Sequence, residues 1–170
     1  INLLQEIQKP QIISIKMPER RYKTSQEKDF LTTYWLSKLW QTLQIRDDLI
    51  PDRNKRIKVN LIIDELYQVP HAQRLLTDKL SQLAKFDCKT IISCHYLGQI
   101  PIIRNELKAA NTSYMLISGV DKDNFKELKE ELSPYELEDV LNLKRYHSLN
   151  LIKYEGGYAK FITKLPRPIV

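Results

Sequence analysis

Glycine is scarce in this chain. Four of its 170 residues are glycine, and none comes before Gly98. A phosphate-cradling loop of the form G-x-x-x-x-G-K-[ST] needs glycines so that backbone N–H groups can converge on the phosphates. Neither that motif nor G-x-G-x-x-G occurs, so the chain holds no nucleotide-phosphate loop of either kind. Cysteine is also scarce. Cys88 and Cys94 are the only two; they offer no disulfide framework and suit a reducing compartment. No apolar run approaches the roughly 18 residues of a membrane span. The first segment carries Glu6 and lacks a basic start, so it does not read as a secretory signal. Internal repeats and low-complexity tracts are absent.

What is present fits a globular protein. The apolar fraction is 42% and the charged fraction 28%. At this length one domain is expected, large enough to bury a substantial core. The net charge of +6, with a pI near 9.2, favours an anionic partner such as nucleic acid, but only mildly. The densest basic stretches are Arg20 to Lys23 and Arg53 to Lys58. Asp47, Asp48 and Asp52 offset part of the second, and a solvated loop is the simpler reading of each.

Gln11 to Met17, between Pro10 and Pro18, reads as a short strand. Thr24 and Glu27 form a capping box that opens a long helix to about Arg46. Phe30, Leu31, Tyr34, Trp35, Leu39, Trp40 and Leu43 give that helix a broad apolar face. A polar loop follows over 47–57. Residues 58–65 then read Lys-Val-Asn-Leu-Ile-Ile-Asp-Glu, an apolar strand ending in two adjacent carboxylates. Val69-Pro70 starts a helix with Ala72, Leu75, Leu76, Leu80 and Leu83 on one face. Thr90 to Ser93 reads as a strand, Ile100 to Ala110 as a helix and Ser113 to Ile117 as a strand. Asp121 to Leu132 reads as an amphipathic helix, with a shorter helix after Ser133-Pro134. His147 to Tyr154 and Tyr158 to Thr163 alternate around Glu155-Gly156-Gly157, a hairpin signature. Strands alternating with helices imply an α/β fold with a mostly parallel sheet and helices on both faces.

Open α/β sheets bind ligands beyond the carboxyl ends of their strands. That makes Asp64 and Glu65 the first candidates for chemistry. The bland reading is a strand-end acid that faces solvent or caps the next helix. Cys88, Cys94, His71 and His95 lack C-x-x-C or H-x-x-x-H spacing and do not read as a zinc site. Cys94 and His95 are neighbours on a strand and point to opposite faces, which argues against a nucleophile–base pair.

Three segments in order carry a resemblance: the Asp64-Glu65 strand, Thr90 to Ile100 with Cys94-His95, and Glu106 to Ile117. Together they resemble the C-terminal half of the motor domain of FtsK/HerA-type DNA-pumping ATPases, most of all the coupling ATPases of conjugative transfer. The likeness covers roughly Gln11 to Ile117. In that family a strand after the Walker B acids ends in a polar sensor, commonly glutamine in an "ATQ"-like triplet. Here His95 stands at that place, with Gln99 as a competing candidate. A "KAN"-like turn follows in the family, and Lys108-Ala109-Ala110-Asn111 resembles it with one extra alanine.

The resemblance implies a RecA-like P-loop NTPase, a three-layer sandwich with the C-terminal hairpin appended and the N-terminal part bearing the P-loop missing from residues 1–170. On this reading the natural start lies upstream of Ile1, and the 170 residues are one incomplete domain. It implies ATP as substrate, Mg2+ held by Asp64 through water, Glu65 orienting the attacking water, and His95 or Gln99 sensing the γ-phosphate. It further implies a homo-hexameric translocase that grips DNA without reading its sequence, located in the cytoplasm or anchored at the inner face of the membrane. Secretion or relaxosome proteins would be its partners, and this stretch itself would make no membrane contact. Arg74, Arg104 and Arg145 are the arginine-finger candidates. Lys122, Lys126 and the 53–58 loop are candidates for DNA phosphates. Without a P-loop, these residues alone would hydrolyse little or no ATP. The alternatives are a HerA-type or viral genome-packaging ATPase, or a non-catalytic α/β module that binds DNA or a partner protein.

Overall fold

The computed structural model describes residues 2–110, 112–117 and 122–167. The chain is α/β and forms two compact units, Ile1–His95 and Tyr96–Val170. Each carries a small sheet: one parallel pair and one antiparallel trio. Among the described residues no helix is long and apolar enough to cross a membrane.

The first unit lays its two longer helices against one face of a two-stranded parallel sheet. A short helix, α1 (Leu3–Glu6), buries Leu3. The long helix α2 (Ser25–Leu49) starts where the capping box predicts. Thr24 Oγ1 accepts the Glu27 amide at 3.3 Å, and Glu27 Oε2 accepts the Lys23 amide at 2.9 Å. Strand β1 (Val59–Ile63) pairs in parallel with β2 (Cys88–Ile92), Val59 opposite Cys88 and Ile63 opposite Ile92. Helix α3 (Pro70–Leu83) makes the crossover between them. Leu36 and Trp40 of α2, Leu61 of β1 and Leu76 and Leu83 of α3 meet in the core. On the opposite sheet face Ile62 and Ile91 lie side by side in register, 69% and 54% exposed.

Two expectations change here. Gln11 to Met17 forms no strand. A strand needs a neighbour's N–H and C=O groups, yet β1 pairs only with β2 among the described residues, and Ile12, Ile13 and Ile15 stay exposed. The buried face of α2 is also rotated from the one expected. Asp29, Leu36 and Leu43 face inward at seven-residue spacing, whereas Phe30 and Tyr34 are exposed.

The second unit holds α4 (Arg104–Ala109), β3 (Tyr114–Ile117), α5 (Lys122–Glu127), α6 (Lys129–Leu132), α7 (Leu137–Leu141), β4 (His147–Tyr154) and β5 (Gly157–Lys164). The sheet order is β3-β4-β5, antiparallel throughout. The predicted hairpin is present, with Tyr154 opposite Gly157 across its tight turn. The tight turn forces β4 and β5 to pair antiparallel, β3 also runs antiparallel to β4, and among the described residues the parallel arrangement is confined to β1–β2. The amphipathic segment expected from Asp121 divides at Leu128 into α5 and α6. Asp121 itself lies outside the described residues, as does Asn111 of the "KAN"-like turn.

Candidate functional site

The two acids follow directly from β1. The strand buries Ile63 and then delivers Asp64, exposed, and Glu65, half-buried, at its carboxyl end. Parallel pairing brings the end of β2 to the same edge, where the Ser93 amide donates to the Ile63 carbonyl at 3.0 Å. Ser93 then contacts both acids. Its hydroxyl donates to Asp64 Oδ1 and accepts the Glu65 amide at 3.1 Å. One side chain thus ties the strand-end carboxylate and the next residue's backbone to the neighbouring strand.

Glu65 has φ 53° and ψ 46°, the left-handed region that a non-glycine residue rarely occupies. Such a conformation costs of order 1 kcal/mol or more and persists only when its surroundings enforce it. Here the Ser93 hydroxyl holds the Glu65 amide, and the Gln68 amide N–H donates to the Glu65 carbonyl at 3.0 Å. The sharp turn opens a 3-10 helix, Leu66–Gln68. Within that helix the Gln68 side chain turns back, and Nε2 donates to Glu65 Oε2 at 2.6 Å. Lys28 of α2 donates to Gln68 Oε1.

His95 is placed near the same edge. Its exposed ring lies 5.7 Å from the ring of Tyr67, tilted by 46°, and Tyr67 is two residues beyond Glu65. Asp64, Glu65 and His95 therefore share one unit. Gln99 belongs to the other, on the 3-10 helix Leu97–Gln99, where its amide donates to the Tyr96 carbonyl at 3.0 Å.

No family model, curated protein or solved structure matches this chain. The chemistry of the site has to be read from its own geometry.

Asp64 is exposed, and Ser93 engages only Oδ1 among the described residues. An accessible carboxylate at a sheet's carboxyl edge suits Mg2+, which keeps most of its waters and takes one or two carboxylates. The donor set therefore fits that ion held through water. Among the described residues no group of three or more His, Cys, Asp or Glu side chains gathers as a metal cage. Burial pushes the Cys88 thiol up to about 11 and raises that of Cys94, so neither is an activated nucleophile.

Several of the other candidate residues have visible structural employment. In the 53–58 loop Arg53 binds Asp87 at 2.8 Å, and buried Arg56 pairs with both Asp47 and Asp87. The Arg53 guanidinium holds the Asp87 carboxyl below its usual range. Those two arginines brace the loop against the turn before β2. Arg104 pairs with Glu127 at 2.7 Å, Arg145 stacks on Tyr146, and Lys126 meets Asp123 at 3.7 Å. Arg74 is exposed on α3, and Lys122 is exposed at the start of α5.

Sequence reasoning missed Ser93, Gln68 and Lys28. Ser93 had a usable signal: it is the first polar residue after Ile91-Ile92, and parallel register puts it beside the end of β1. Gln68 and Lys28 had none, because their contact spans 40 residues.

Proposed function

We propose that residues 1–170 form the hydrolysis half of a P-loop motor that drives DNA translocation. The observation that carries this reading is the Asp64–Glu65 pair at the carboxyl edge of a parallel strand pair, fixed there by Ser93. In this reading Asp64 holds a hydrated magnesium ion, which when bound supplies charge neutralisation at the phosphates. Glu65 orients the attacking water and accepts its proton. His95 is the preferred sensor candidate, since it shares a unit with both acids; an imidazole N–H can donate to a phosphate oxygen.

The phosphate-binding loop is not in these residues and is contributed by sequence outside them. By resemblance the assembly is a hexamer that grips DNA phosphates, and conjugative transfer is the preferred process.

The test is Asp64→Asn in the complete protein, with ATP turnover followed against Mg2+ concentration. The proposal expects turnover to fall steeply and the Mg2+ requirement to rise. Unchanged turnover and an unchanged Mg2+ profile would return Asp64 to a strand-end acid and favour a non-catalytic binding module.

A further inference from the structure

The Glu65 carboxylate is held by a side-chain relay from another helix. Gln68 Nε2 donates to Glu65 Oε2 at 2.6 Å, and Lys28 Nζ donates to Gln68 Oε1. The relay has a fixed sense. An ammonium only donates, so it must meet the amide oxygen; a carboxylate only accepts, so it must meet the amide NH2. Lys28 therefore orients the Gln68 amide with its donor toward Glu65, and reversing the amide would break both bonds at once. Each bond has one ionised partner, the stronger class of hydrogen bond.

We propose that Gln68 is a positioning residue for Glu65, with Lys28 setting the orientation of its amide. This rests on the hydrolytic reading of Glu65 given above. A free glutamate side chain samples many rotamers, and a general base must present one oxygen to its water at hydrogen-bond distance. Gln68 occupies Oε2 and leaves Oε1 as the oxygen that would meet that water. Glu65 is then held from both ends, its backbone amide by Ser93 and its carboxylate by Gln68. Lys28 sits in the second turn of α2, so the relay also makes the aim of Glu65 depend on where that helix begins. Lys28 and Gln68 both line an open groove of about 360 Å³ and are only half-buried, so their truncation leaves the core intact.

Two measurements test this. The first needs no activity: the Gln68 side-chain amide resonance is followed by NMR in the 170-residue chain, in wild type, Glu65→Gln and Lys28→Met. The proposal expects the resonance to shift in Glu65→Gln, which replaces the acceptor of its N–H, and to shift again in Lys28→Met. A Gln68 amide indifferent to both substitutions overturns it. The second is steady-state ATP turnover in the complete protein. Gln68→Leu is expected to lower kcat about 10- to 100-fold with KM for ATP unchanged, the cost of a misplaced catalytic group. Lys28→Met is expected to lower kcat less, and Lys28→Arg to restore it. If Glu65→Gln abolishes turnover while Gln68→Leu leaves kcat intact, the positioning role falls and the hydrolytic reading stands. If Glu65→Gln leaves turnover intact, both fall.

Discussion

The buried carboxylate of Asp29, in the second turn of α2, caps the start of α3. It accepts the His71 amide at 2.9 Å and the Ala72 amide at 3.1 Å, and it meets His71 Nδ1 at 2.6 Å. The helix has no local cap of its own: Val69 stands at the N-cap position and makes no side-chain cap. A residue 42 positions away supplies the acceptor that serine or aspartate usually provides. Asp29→Ala is expected to destabilise the fold by about 2 kcal/mol. Asp29→Asn keeps one acceptor oxygen and should lose roughly half as much. Urea denaturation of the three proteins measures this, and equal midpoints would show that the cap contributes nothing.

Arg46 is fully buried in α2. Its guanidinium donates to the Ile57 carbonyl at 2.8 Å and to the Phe86 carbonyl, joining the helix to the segments that lead into β1 and β2. Burial pulls its pKa below the ordinary arginine value. Arg46→Met leaves two carbonyls unsatisfied and should cost about 2–4 kcal/mol. Arg46→Lys should recover little, because one ammonium does not reproduce the planar fork. Thermal unfolding with matched secondary-structure content at 20 °C distinguishes a weakened fold from a lost one.

Folding raises the Cys88 thiol from 9.0 to about 11 through burial. Below pH 9 both the folded and unfolded chains hold this proton, so it adds no pH dependence. Between pH 9 and about 11 the unfolded chain releases the proton first, and stability must fall as pH rises. The urea midpoint of wild type should therefore decline across that window more steeply than that of Cys88→Ala. Alkylation at pH 8.5 should reach half-buried Cys94 first, with Cys88 reacting only on unfolding. Equal slopes, or faster labelling of Cys88, would contradict the burial argument.

Ser93 holds both ends of the acid pair. Ser93→Ala removes its donation to Asp64 and the acceptor for the Glu65 amide, and should cost about 1–2 kcal/mol of stability. In the complete protein, turnover should fall more than ATP affinity does, since the acids lose their alignment and no phosphate contact is deleted. A fall confined to ATP affinity would instead make Ser93 a binding residue.

The local elements were legible in the sequence where chemistry is local. The capping box at Thr24, the crossover helix after Pro70 and the hairpin around Gly156 all lie where their residues indicate. Gln11 to Met17 shows the limit: β-branched composition signals strand propensity, but a strand also needs a partner, and propensity does not supply one. Phe30 and Tyr34 show another. An aromatic-rich helix offers several apolar faces, and the buried one follows Asp29, Leu36 and Leu43 because Asp29 must reach α3. The acids Asp64 and Glu65 were legible from a strand ending in two carboxylates. Of their supports only Ser93 could be placed, from the parallel register beside the end of β1; the hydrogen bond from Lys28 to Gln68 joins segments 40 residues apart. The left-handed turn at Glu65 leaves no mark in composition.

The most direct test of the central claim is Glu65→Gln in the complete protein, with ATP turnover and ATP binding measured on the same preparation. The amide keeps the shape and size of the side chain and removes its capacity to accept a proton. The account predicts that turnover falls by about 100-fold or more, the scale of a lost general base, while ATP binding persists. Turnover at the wild-type rate would contradict it and leave Glu65 a structural acid in a strained turn.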